Sequence, residues 1–321
     1  MALTVVAVVG TACASPRAST TSTGSRTPIP KTELSPGCAH RSRVGGVRTG
    51  GEQTQTLDAG AVNGSYELSV PGAYRPQHPT ALILLFYGFG SDPTQFSALT
   101  GLPRRGSKDG YLVAVPHTQA GESEWQFNGH GTDAAFVDAL VVSLERSYCV
   151  DKSDIFAVGF SAGAAFTVAY SCAHQSQIAA IATVAVEFQL GCTRPMSILA
   201  FHGTEDPLVP YQNGAIGLSL PGIKVRGTEL NMGDWARLDR CRTTARSARI
   251  GSQVVRQQWS GCVDRTSVGL YTILGGGHSW PGADQASAIG LTTEQINATS
   301  LVLSLFSRTR STAHYLGGSE E

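Results

Sequence analysis

The chain carries no excess of charge of either sign: Lys plus Arg and Asp plus Glu stand at 24 each, for a formal net charge of zero. No overall field therefore draws it to nucleic acid or to an anionic membrane surface, and the expected partner is a neutral or weakly charged small molecule. It has no CxxC or HxxxH spacing, so no metal site is expected. Internal repeats and nucleic-acid-binding modules are also missing. The apolar stretch at the start, MALTVVAVVGTAC, is too short to cross a bilayer.

What that stretch does suit is the core of an export signal over residues 1–13. Small residues before Cys13 give two readings. One is a lipoprotein processing site, with a diacylglycerol on Cys13 anchoring the protein. The other is a plain secretory signal; the lipoprotein pattern is departed from in that no Lys or Arg precedes the apolar run and Gly10 stands where such sites usually carry leucine. Either way the chain is expected to be exported, secreted or held at the cell envelope. Residues 14–37, rich in Ser, Thr and Pro, read as a disordered tether. Six cysteines follow Cys13, an even number that in an exported chain argues for disulfides. Cys241 and Cys262 flank an apparent strand (253–259) and are expected to pair; the other pairings stay open.

With 41% apolar residues over 321 positions, the chain can bury a large core, expected as one principal domain over 38–308 with a polar tail at 309–321. Short apolar runs at 81–86, 111–115, 155–159, 178–186, 197–201 and 268–274 read as strands buried on both faces. Segments 52–58 and 66–70 alternate polar with apolar residues, as antiparallel edge strands do. Amphipathic stretches lie between: Asp133 is placed to cap a helix running to about Tyr148, another helix follows Ser161, and a last one spans roughly 293–307. The fold class is α/β, a mostly parallel central sheet with helices on both faces. Residues 211–250 break the rhythm and read as an insertion over the sheet's carboxyl edge.

The run IFAVGFSAG ends in Gly159-Phe160-Ser161-Ala162-Gly163. Alone, G-x-S-x-G in a glycine-rich chain says little, but here a strand enters it and a helix of small residues leaves. That is the sharp turn that lifts a serine hydroxyl above a sheet. A serine needs a base, and the base an orienting acid, in the chain order Ser, Asp or Glu, His. Of the histidines beyond Ser161, His278 stands out. It follows the strand at 268–274 and three glycines, whereas His174 falls in the helix after the serine and His314 in the tail. The acid is expected after the strand at 197–201, where Asp206 is preferred over Glu205. His202 reads as a hydrogen-bonded residue at the strand's end. Asp234 is a reserve carboxylate.

FYGFGSD (86–92), GFSAG (159–163), HGTEDPLVP (202–210) and GGGHSWPG (275–282), in this order, resemble the polyhydroxybutyrate depolymerase and feruloyl esterase-like group of α/β-hydrolases. The match covers about residues 50–308. Among its members, exported lipoprotein esterases of the LpqC type look closest. The resemblance implies an α/β-hydrolase fold, a carboxylic ester hydrolase, and Ser161, Asp206 and His278 as a catalytic triad. Where the group usually reads His-Gly, this chain has Tyr87-Gly88; the N–H of Phe89 is expected to join that of Ala162 as an oxyanion hole.

The scheme expected from these residues is acyl transfer through an acyl-enzyme, with no metal or organic cofactor. Its substrates would be short acyl, hydroxyalkanoate oligomer, feruloyl or acetyl esters. Trp280 and Trp125 are expected to contact substrate, and Phe89, Phe127, Phe160 and Phe188 offer further apolar wall. Arg237, Arg240, Arg242 and Arg246 read as a solvated face. The alternative is a binding protein of the cell envelope that kept the scaffold and lost turnover, Tyr87 being the feature that raises it.

Overall fold

The computed structural model describes residues 33–39, 52–60, 62–118, 125–216, 224–283 and 289–314. The expected signal, Cys13 and most of the expected tether lie outside the described residues.

Among the described residues, twelve strands form a ten-stranded sheet and a separate two-stranded ribbon. Six neighbours in the large sheet run parallel, in the order β4 (Leu112–Pro116), β3 (Thr80–Phe86), β5 (Val150–Phe160), β6 (Ile178–Val184), β7 (Ser197–Gly203) and β12 (Val268–Ile273). Each matches one of the apolar runs. Every residue of β3, β4, β7 and β12 is buried, which is why their sequences lack a polar face. Antiparallel strands complete both edges: β1 (Glu52–Asp58) and β2 (Asn63–Ser69) beside β4, and β11 (Val254–Trp259) and β10 (Arg246–Ile250) beside β12. Alternation at 52–58 is the mark of such a half-exposed edge.

Helices cover the sheet. α4 (Ala162–Ala173) packs on β3, β5 and β6, and α6 (Ala298–His314) packs on β5, β6 and β7. α1 (Pro93–Thr100) and α2 (Leu102–Lys108) follow β3, and α3 (Thr132–Ser147) precedes β5. In α3, Phe136, Leu140, Val141 and Leu144 are buried, as their spacing requires. Its cap differs from expectation. The N-cap is Gly131, and Asp133, inside the first turn and buried, accepts the Gln126 N–H at 2.9 Å.

Three further boundaries move. Residues 33–37, assigned to the tether, are docked on the domain: Ser35 Oγ donates to the Tyr148 carbonyl at 2.9 Å, and Leu34 bridges to Asp151. The cause is a disulfide between Cys38 and Cys149. The final helix starts at 298 and continues through 314, so part of the expected polar tail is helical. The insertion contains β8 (Gly214–Ala215), β9 (Lys224–Val225) and α5 (Thr228–Leu238), but its last residues, 246–250, are the edge strand β10 of the main sheet. Cys241 pairs with Cys262 as expected, and Cys172 pairs with Cys192.

Candidate active site

The chain leaves β5 through Ser161, which holds φ 54° and ψ −121°, and enters α4 at once. A non-glycine residue in this region carries strain of about 1–3 kcal/mol. It persists because the turn is locked on both sides: Ser161 N donates to the Val184 carbonyl at 2.9 Å, and its own carbonyl accepts from Ala164 N at 2.9 Å. The flanking glycines answer to close approach. A methyl on Gly159 would collide with the Gly163 carbonyl and Thr167 Oγ1, and one on Gly163 with the carbonyls of Phe86 and Tyr87.

Two strands further along the sheet, β7 delivers Asp206, and its neighbour β12 delivers His278. His278 Nδ1 lies 2.7 Å from Asp206 Oδ2, and both residues are buried. Asp206 is fixed from its other oxygen, where Oδ1 accepts the N–H groups of Leu208 at 2.8 Å and Val209 at 2.9 Å. An imidazole held this way points its Nε2 away from the carboxylate. Glu205, its neighbour, is exposed, which separates the two carboxylates that the sequence leaves as choices. Ser161 and His278 line the same cavity, and the Phe160 ring packs 4.8 Å from the His278 ring.

The loop after β3 passes beside the serine: a Cβ on Gly88 would lie 3.4 Å from that of Ser161. Phe89, the next residue, is on the cavity wall, as is Ala162, the first residue of α4. Tyr87 is buried and anchors this loop. Its hydroxyl accepts the Thr118 N–H at 2.8 Å and donates to Thr118 Oγ1 at 3.3 Å, while its carbonyl accepts Trp125 Nε1 at 2.8 Å. Burial pushes the Tyr87 phenol above its ordinary pKa, so it stays a neutral donor.

The cavity has a volume of 650 Å³. Phe89, Phe96, Phe127, Phe160 and Phe188 line it near the serine, and Lys224, Arg226, Asn231 and Asp234 from the insertion line it as well. Asp234 pairs with both Arg226 and Arg237, so it serves this wall and not His278. Trp125 and Trp280, expected to touch substrate, do not reach the wall. Trp125 stacks on Phe166 at 4.8 Å, and Trp280 donates to Thr299 Oγ1 at 3.1 Å while meeting the Phe96 ring edge-on. Their indole N–H groups needed buried partners, which took them into the core. Arg237, Arg240, Arg242 and Arg246 are exposed. Among the described residues, no cluster of three or more His, Cys, Asp or Glu is arranged to hold a metal ion.

A family model described as phospholipase/carboxylesterase matches residues 128–217. Feruloyl esterase C of Emericella nidulans is 30% identical over 190 residues, 56% of this chain and 65% of that protein. Feruloyl esterase D of Neurospora crassa is 26% identical over 243 residues, 71% of this chain and 78% of its own. Among solved structures, acetyl xylan esterase from Aspergillus awamori aligns over 79% of this chain and 99% of its own, with a TM-score of 0.56 at 12% identity, a likeness of fold. The chain has an α/β-hydrolase fold and is similar in sequence to feruloyl esterases. It spans a little under two thirds of the feruloyl esterase C proteins it matches, 65% and 63% for the first two.

One residue near this site gave no signal in the sequence. Glu187, buried three positions beyond β6, holds His202 and so belongs to the layer behind Asp206. A lone glutamate after an apolar run carries no signal until the fold shows that it is enclosed.

Proposed function

We propose that the chain is a serine hydrolase of carboxylic esters, exported, with Ser161, His278 and Asp206 as its triad. The observation that carries this reading is the buried 2.7 Å contact between Asp206 and His278 on the wall that Ser161 shares. With Nδ1 engaged by Asp206, His278 takes the Ser161 proton at Nε2 as the hydroxyl attacks the ester carbonyl. The N–H groups of Ala162 and Phe89 receive the oxyanion, and the imidazolium returns the proton to the leaving alcohol. Water, activated by the same imidazole, then releases the acid. No step calls for a metal or an organic cofactor.

Five phenylalanines around the serine favour an aryl or short acyl group there, and the names of the feruloyl esterase relatives agree. The charged residues of the insertion suit a hydroxylated alcohol portion. Hydroxybutyrate oligomers and acetylated glycans are the competing substrates. Three disulfides support folding in an oxidising compartment, as export would provide; a lipid on Cys13 is the anchored form of this reading.

A fluorophosphonate probe tests the site. Covalent labelling of the purified chain that disappears in Ser161→Ala is the expected result. A chain that stays unlabelled would be the non-catalytic binding protein instead. Hydrolysis rates on methyl ferulate, a hydroxybutyrate trimer and p-nitrophenyl esters of rising length then rank the substrates, with methyl ferulate expected first.

A further inference from the structure

Behind the Asp206–His278 pair lie two buried ionisable side chains that acyl transfer leaves unused. His202 and Glu187 are each 2% exposed. His202 Nε2 sits 2.9 Å from the Val209 carbonyl, which can only accept, so Nε2 carries a proton. Nδ1 sits 2.8 Å from Glu187 Oε2 and 2.9 Å from Thr228 Oγ1. Glu187 is held in turn, its Oε1 accepting Asn231 Nδ2 at 3.1 Å and its carbonyl accepting Trp235 Nε1 at 2.8 Å. The backbone reaches this position through Ala185, at φ 67°, a conformation that L-residues rarely adopt.

With a proton on Nε2 and the Glu187 carboxylate at Nδ1, the ring has an acceptor in place for a second proton. Burial works against the charge this proton brings, but the Glu187 carboxylate, reinforced by Asp206, overcomes it and raises the His202 pKa above its ordinary value. The cation faces the triad. Its Nε2 lies 3.6 Å from Asp206 Oδ2, the oxygen that also binds His278. It also grips the turn that holds Asp206, because the Val209 that accepts from His202 is the residue whose N–H binds Asp206 Oδ1.

We infer that His202, kept as an imidazolium by Glu187, is a positioning residue for this reaction: it fixes the Val209 turn that seats Asp206 and sets the charge that Asp206 presents to His278. The inference rests on the esterase reading for its consequence, though its charge state can be measured without turnover. The other ionisable groups facing the cluster are Tyr211, whose ring lies 5.6 Å from that of His202, and Glu229, which the Tyr211 hydroxyl contacts. Burial holds the Tyr211 phenol protonated, while Lys224, Arg226 and Asp234 stand on the cavity wall. Of all these, only His202 places a positive charge against Asp206. That charge offsets part of the carboxylate's pull on the His278 proton.

The test is a pH titration of the eight histidines by nitrogen-15 NMR in the full chain, its His202→Gln and its Glu187→Gln variants, beside kcat/KM against pH with p-nitrophenyl acetate. His202 should be doubly protonated at pH 7 in the wild type and neutral in Glu187→Gln. The His278 midpoint, and with it the acid limb of kcat/KM, should rise by about half a pH unit in His202→Gln and by about 0.3 in Glu187→Gln. A merely structural role would lower kcat or thermal stability and leave the midpoint where it was. A neutral His202 in the wild type, a His202 still charged in Glu187→Gln, or a His278 midpoint unmoved in the folded variants overturns the inference. If His202→Gln does not fold, Glu187→Gln decides alone. A wild type inert to probe and esters ends the esterase reading, and the titration still decides this one.

Discussion

Ser161 occupies backbone space that glycine would occupy at little cost, and the strain is retained because the turn is clamped by its neighbours. Strain of this kind trades stability for a hydroxyl presented to the cavity. Replacing Ser161 by glycine should therefore raise the unfolding free energy by about 1 kcal/mol, seen as a melting temperature a few degrees higher, while abolishing probe labelling. Ser161→Ala, which keeps the Cβ and the strain, should lose labelling without that gain. Equal melting temperatures for the two variants would mean that the strain is not where the dihedral angles put it. Gly159 offers the opposite case: a methyl there meets a carbonyl that cannot move without unseating α4, so Gly159→Ala destabilises.

At the level of elements, the Cys38–Cys149 disulfide ties the short 3-10 helix at Pro36–Ala39 to the junction of α3 and β5. The Ser35 side chain adds its own bonds, donating to the Tyr148 carbonyl and accepting the Val150 N–H at 2.8 Å. Removing both cysteines as serines should cost about 2–5 kcal/mol and shift the urea midpoint down, with faster amide exchange at Val150. An unchanged midpoint would show the clip to be decorative. This pairing was not legible in the sequence, since 111 positions separate its ends, whereas Cys241 and Cys262 bracket a local hairpin and could be paired by inspection. The same distinction runs through the site. Apolar runs announce buried strands, and glycines around a serine announce a sharp turn, because both are local demands on the backbone. Trp125 and Trp280 failed as expected contacts because an indole looks the same in sequence whether its N–H meets substrate or, as here, the Tyr87 carbonyl and Thr299. Glu187 gave no sign at all: its partners come from β7 and α5, and only the sheet order brings them together.

For the whole molecule, formal neutrality means that stability against pH is set by individual buried groups rather than by net repulsion. Asp239, at the end of α5 and fully buried, is the clearest of them. Burial pushes its carboxyl up to about 6, against the bond from the Met196 N–H that favours the charged form. In the unfolded chain the same group ionises near 4. Between those values the folded state binds a proton that the unfolded state has already released. Its contribution to stability is therefore fully present below about pH 4 and is lost as pH rises through about 6. The total is at most about 3 kcal/mol, two pKa units at roughly 1.4 kcal/mol each. Asparagine keeps an oxygen for the Met196 N–H and cannot ionise. Urea midpoints of wild type and Asp239→Asn, taken at pH 4.5 and pH 7.5, should show the variant gaining on the wild type as pH rises. A wild type that gains on the variant over that interval would mean that Asp239 is charged and paired in the folded protein, and that the pH dependence has its origin elsewhere.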